Sequence, residues 1–178
     1  AIFQSLGLPD IDLFATQWNR KVRVFCSMRQ STLALSTDAF QITWQGVLGY
    51  AFPPLKLLPR VLNKVRQEKA TIILVAPMWP RQSWYPWLLR MSIAVPRALP
   101  QDMILTQFTQ GALISHPEPS LFKLVAWKVS GDISKTKAFR QQLYAQSKQP
   151  VDQALQQSMK MPGDLSVAGA VHRVLISI

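Results

Sequence analysis

The sequence predicts an α/β protein: a mostly parallel sheet with flanking helices, followed by an irregular C-terminal extension. Three observations carry this. Short apolar runs bounded by Pro or Gly recur through the first half of the chain. One of them, Thr71-Ile72-Ile73-Leu74-Val75-Ala76, is an unbroken β-branched and apolar run, as in a strand covered on both faces. An apolar stripe of helical period lies between two of the runs, and a strand–helix–strand order of this length favours a parallel crossover.

Taken in order, the first strand is expected at Ile11-Asp12-Leu13-Phe14, after Pro9. Residues 20–36 are basic and rich in Ser and Thr, a loop with one short element. Asp38-Ala39-Phe40 leads to Trp44-Gln45-Gly46. A second strand, Val47-Leu48-Gly49-Tyr50-Ala51-Phe52, stops at Pro53-Pro54, which cannot continue a central ladder. Leu58, Val61, Leu62 and Val65 then fall at i, i+3, i+4 and i+7, one face of a helix with Pro59 in its first turn. Lys56, Arg60 and Lys64 repeat every four residues on a different face. The third strand is the Thr71 run, closed by Pro77.

Residues 78–87 form a loop entering a short helix at Leu88-Leu89-Arg90-Met91. Met103-Ile104-Leu105 and Ala112-Leu113-Ile114 are further strand candidates. A last helix is expected over 134–145, capped by Ser134, with Ala138, Phe139 and Leu143 as its apolar face. Residues 146–164 hold many Gln, Lys and Ser with Pro150, Pro162 and Gly163, the composition of a linker. The expected organisation is an α/β domain over 1–117, a helical connector over 118–147 and a flexible linker over 148–178. The missing initiator Met and the closing apolar run Val174-Leu175-Ile176-Ser177-Ile178 suggest a segment cut from something longer.

Composition narrows the function. Of 178 residues, 48% are hydrophobic and 16% charged, enough apolar material for a sizeable core. Lys and Arg number 20 against 9 Asp and Glu, a net charge of +11, which points to a polyanionic partner, nucleic acid first. One cysteine, Cys26, leaves no disulfide framework and no Cys-based zinc site. His116 and His172 have no spacing partners, so no metal site is expected. No stretch approaches the roughly 18 uninterrupted apolar residues of a membrane span, and no signal-peptide pattern opens the chain, so an intracellular setting without membrane attachment is expected.

Ligands of open α/β sheets bind beyond the carboxyl ends of the strands. If the three strands are parallel neighbours, Phe14-Ala15-Thr16, Phe52-Pro53-Pro54-Leu55 and Pro77-Met78-Trp79-Pro80 should cluster. Asp12, within an apolar run, is costly to bury without a partner. It either accepts hydrogen bonds from a ligand's ribose or amine, or it is a satisfied structural aspartate, for instance paired with Arg20 or Lys21. The two prolines after Tyr50-Ala51-Phe52 fix a rigid turn that can hold a planar group, or merely end a strand. Trp79, Trp84, Tyr85 and Trp87 crowd nine residues around Arg81. Such interleaving suits stacking on bases, although rings of this kind also anchor a helix on a sheet. The Lys56, Arg60 and Lys64 row could track phosphates or be a solvated helix face. The glycine-rich phosphate loops, the nucleophile elbow and the paired-histidine zinc motif are absent from the sequence, and the carboxylates are scattered.

Several segments nonetheless form a recognisable linear set. Asp12-Leu13-Phe14-Ala15-Thr16-x-x-Asn19, Asp38-Ala39-Phe40-x-x-x-Trp44, Tyr50-Ala51-Phe52-Pro53-Pro54 and Ile73-Leu74-Val75-Ala76-Pro77-x-Trp79-Pro80-x-x-x-Trp84-Tyr85 resemble the stretch after the ribonuclease H domain in polyproteins of DIRS-type retrotransposons, which use a tyrosine recombinase. Leu124-Val125-Ala126-Trp127-Lys128-Val129-Ser130-Gly131 with Lys135, Ala138 and Phe139 resembles the connector that follows, and Ser166-Val167-Ala168-Gly169 the approach to the recombinase. The likeness covers residues from about 9 to 145.

That stretch in turn resembles phage Dam-like DNA N6-adenine methyltransferases, which have a Rossmann-like sheet and bind S-adenosylmethionine. The resemblance implies cofactor contacts at Asp12, Ala15, Thr16 and Asn19, a catalytic turn at Phe52, Pro53, Pro54 and Leu55, and a third segment at Pro77 and Trp84. Phe52 stands where the family has the catalytic Asn, and Leu55 where it has the Tyr that stacks on the flipped base. Phe52 cannot accept a hydrogen bond from the adenine amine, so methyl transfer is expected to be weak or absent. The implied partners are nucleic acid, touched by Lys56, Arg60, Lys64, Trp79, Arg81 and Trp84, and the neighbouring ribonuclease H and recombinase domains. Two alternatives stay open: an active methyltransferase in which Asp38 or Asp12 accepts the amine, and a purely structural interaction module.

Overall fold

The computed structural model describes residues 2–100, 106–109, 112–115 and 123–159. The chain is α/β. Its main sheet has the order β1-β2-β3-β7-β4, with β1 at Ile11–Asp12, β2 at Leu48–Ala51, β3 at Thr71–Pro77, β4 at Arg97–Ala98 and β7 at Leu124–Ser130. The pairs β1–β2 and β2–β3 are parallel, whereas β7 runs against both β3 and β4. A separate antiparallel pair joins β5 at Thr106–Thr109 to β6 at Ala112–Ser115. The helices are α1 at Ile2–Leu6, α2 at Leu58–Gln67, α3 at Tyr85–Met91 and α4 at Ile133–Met159. The chain divides into two units between Gln141 and Gln142, and the main sheet belongs to the first. Among the described residues no helix is long and apolar enough to cross a membrane.

The period-2 alternation of the strands sorts side chains onto two covered faces. Ile72, Leu74 and Ala76 of β3, with Val125, Trp127 and Val129 of β7, join the core shared with α2 and α3. Ile73, Val75, Leu124 and Ala126 join the opposite core, against Phe3 and Leu6 of α1. Every residue of the α2 stripe (Leu58, Val61, Leu62 and Val65) is buried in the first core. Burial of each contributes about 1.5–3 kcal/mol. Pro59 occupies the first turn of α2, where a missing N–H costs nothing.

The first strand is shorter than its apolar run. Its outer edge is occupied by the 20–36 loop: Asp12 N donates to Val24 O at 2.9 Å and Cys26 N to Asp12 O at 2.8 Å. Phe25 and Cys26 supply the expected short element, and both are buried. Ala112-Leu113-Ile114 lie in β6. Met103-Ile104-Leu105, His116, His172 and Ser166-Val167-Ala168-Gly169 fall outside the described residues.

Three expectations are corrected. Residues 124–130, placed in a helical connector beyond residue 117, form β7, paired with β3 from Thr71↔Ser130 to Pro77↔Leu124. The sheet is incomplete without them, so the α/β domain does not end at 117. The last helix is longer than 134–145 and starts at Ile133. Asp132, not Ser134, caps it by accepting from Ser134 N at 2.9 Å and Ser134 Oγ at 2.7 Å. Ala138 and Leu143 of its expected apolar face are exposed. Residues 148–159, expected to be flexible linker, continue this helix past Pro150 to Met159.

Candidate functional site at the carboxyl ends of the parallel strands

The parallel register of β1, β2 and β3 brings their carboxyl ends to one side of the sheet. There a cleft of about 520 Å³ opens. Phe14, Ala15, Thr16 and Asn19 line it from the first tip, Phe52, Pro53, Pro54 and Leu55 from the second, with Met28, Arg29 and Leu124 completing the wall. The first two predicted clusters therefore meet. The third contributes only through β7, whose Leu124 pairs with Pro77. Trp79 packs instead against the core beside α2, and Trp84 is buried in it.

Asp12 does not face this cleft. Its carboxylate is buried and accepts the N–H of Lys21 at 2.9 Å and of Phe14 at 3.4 Å. Burial raises its pKa above the usual aspartate range, outweighing the lowering by those N–H groups and the Lys21 charge. This is the arrangement of a satisfied structural aspartate, held by the backbone of Lys21. Thr16 and Asn19 also serve the loop. Asn19 Oδ1 accepts from Thr16 N at 2.7 Å and Thr16 Oγ1 at 3.1 Å, closing the turn that carries the chain away from β1. At the second tip, Pro54 O accepts from Leu57 N at 2.8 Å and starts the short 3₁₀ turn leading into α2. Phe52 packs toward the α1-side core and Leu55 toward the other.

These residues do not fit S-adenosylmethionine. A sulfonium cation with a ribose diol and an amine calls for carboxylates or open acceptors. Among the described residues lining the cleft there is no carboxylate, and the one charge is the cation Arg29. Asp10 accepts Leu48 N at 2.7 Å, Asp12 is turned inward, and Asp38 caps a 3₁₀ turn by accepting Phe40 N at 2.9 Å. Asp12 and Asp38, the two candidates for accepting the amine, are thus both engaged by backbone N–H groups.

The predicted nucleic-acid residues separate. Lys56 and Arg81 are exposed. The Arg60 guanidinium lies 3.8 Å from the Phe40 ring centroid. Lys64 pairs with Glu68 and stands 5.3 Å from the Trp44 ring. This arm of the basic row therefore roofs an aromatic group, Phe14, Phe40 and Trp44, joined by ring contacts of 5.7–6.4 Å. Trp84, 7% exposed, packs on Tyr85, so its expected role in stacking on bases gives way to a core role.

Sequence reasoning overlooked two features of this region. Arg29 lines the cleft, and Trp18, within the Thr16–Asn19 turn, is 87% exposed. The signal was the basic loop itself, where a tryptophan adjoins Arg20, Lys21 and Arg23 with no apolar period to bury it. No family model, curated protein or solved structure matches the chain.

Proposed function

We propose that this chain is a nucleic-acid-binding α/β module of a retroelement polyprotein, descended from a DNA adenine methyltransferase and without methyl transfer, set between a ribonuclease H and a recombinase domain. The observation that carries the binding role is unspent positive charge. The net charge is +11, yet among the described residues Lys64–Glu68 is the single ion pair within 4.0 Å. A surface of unpaired Lys and Arg is what a phosphate backbone neutralises, with release of its counterions. The lost methyl transfer is supported by Phe52 in place of an acceptor and by a cleft lined with no carboxylate among its described residues.

The test is binding to labelled oligonucleotides across a salt series. Affinity should fall steeply and log-linearly, by roughly 0.9 log units per contacted duplex phosphate for each tenfold rise in salt. Absent or salt-independent binding would support the purely structural module instead. Incubation with labelled S-adenosylmethionine and adenine-containing DNA should transfer no label; transfer above background restores the enzyme.

A further inference from the structure

We infer that single-stranded nucleic acid binds at the opposite end of the sheet, across Trp87 and the cations Arg66, Lys69 and Arg90; this rests on the reading just proposed and gives it a site. A cleft of about 360 Å³ lies between the end of α2, α3 and the β7–α4 turn. Arg66, Lys69, Trp87 and Arg90 line it, with Asp132 and Thr136 on the far wall. Trp87 is 44% exposed, although its neighbours Tyr85 and Leu88 are buried. The Arg66 guanidinium is 5.2 Å from its ring centroid and that of Arg90 5.7 Å. Arg140 Nη2 donates to Arg90 O at 2.8 Å, which brings a further cation alongside.

Charge at this place is unbalanced. Among the described residues no carboxylate pairs with Arg66, Lys69 or Arg90; Arg66 donates to the neutral Asn63 Oδ1 at 3.0 Å. Asp132 is held by Ser134 N and Oγ at the start of α4. Three cations against one engaged carboxylate favour an anion, and an exposed indole flanked by guanidinium groups offers a base two kinds of π partner.

Extent argues for a polymer. A second depression of about 350 Å³ adjoins the first and shares Arg66, Trp87 and Met91 with it. A ligand crossing the indole occupies both, with Arg66 reaching into each depression and Lys69 and Arg90 lining the first. In a duplex the faces of the bases are hidden by their neighbours, which selects a single strand.

The full chain is titrated with a labelled oligothymidylate, with the same oligonucleotide in duplex form, and with anionic phospholipid vesicles, each variant being checked for an unchanged thermal melt. Trp87→Leu should weaken single-strand binding about tenfold, the scale of one stacked base, while Trp87→Phe keeps most of it. Arg66→Gln with Arg90→Gln should weaken it at least as much and flatten the salt slope by about 2 contacts. If the wild-type chain binds the single strand and these variants bind it equally well with the same slope, the site is wrong and the broader function stands. If the wild-type chain binds no nucleic acid, both fall. Stronger binding of the duplex, or loss of vesicle binding alone in the variants, also overturns the site.

Discussion

The two ends of the main sheet treat their polar groups in opposite ways. At the carboxyl ends of β1–β3, Asp12, Thr16, Asn19 and the Pro54 carbonyl all bond to the chain itself. At the other end, beyond the start of β3, Arg66, Lys69 and Arg90 surround an exposed indole without a carboxylate partner among the described residues. The first end has one cation, Arg29, in its cleft lining; the second gathers Arg66, Lys69 and Arg90. Polar residues of the kind that hold a ligand can thus serve as folding devices, because the hydrogen bonds that shape a loop need the same residue types.

The largest effect should come from the core that both ends share. Trp127 is 2% exposed, packs edge-on to Tyr85 at 5.9 Å and donates from its indole N–H to Ala76 O. Trp127→Ala should cost about 4 kcal/mol in chemical denaturation; a loss under about 1 kcal/mol would mean that β7 does not tie the ends together. Gly131→Ala comes next and strikes the cationic end alone. A Cβ there would stand 2.1 Å from Val65 O and 2.8 Å from the Arg66 Cα, both backbone. The junction of α2 with the β7–α4 turn must shift, at about 3 kcal/mol.

Asp12→Ala addresses the other end, leaving the N–H groups of Lys21 and Phe14 without their acceptor and costing about 2 kcal/mol at neutral pH. The pH dependence sharpens this. Because the folded Asp12 pKa lies above its unfolded value, its favourable contribution is complete below the ordinary aspartate range and is lost as pH rises through the raised folded value. The wild-type stability curve, measured against that of Asp12→Asn, should therefore decline over that interval; a difference that grows with pH would mean the carboxylate is stabilised by its partners. The smallest effects are two expected silences. Burial pushes the Cys26 thiol up to about 11, so the folded chain should resist thiol reagents until denatured. Phe52→Asn, which introduces a side-chain acceptor after β2, should yield no methyl transfer, since the lining still lacks a carboxylate among its described residues.

Much of this fold was legible one element at a time. The stripe of α2, the unbroken run of β3 and the proline stop after β2 each reflect a local rule, and each stands where that rule puts it. β7 was not recognised, although Leu124-Val125-Ala126-Trp127-Lys128-Val129-Ser130 has strand composition. Lys128 interrupts the run, so it lacks the unbroken apolar character that marks β3. Trp84 and Trp87 show the same limit: three residues apart in one aromatic cluster, one is core and the other surface.

By itself the sequence determined the class of fold, the strand–helix–strand unit of β2, α2 and β3 and the surplus of positive charge, because periodicity, proline chemistry and composition act within a few residues of chain. Only the tertiary structure decided that β7 enters the sheet between β3 and β4, that Asp12 turns inward, and that Lys64 pairs with Glu68 while, among the described residues, Arg66 and Arg90 have no carboxylate partner. Those outcomes depend on which distant segments are brought side by side. A side chain's period says which face of its element it lies on, but its partner is set by the register of another element far along the chain.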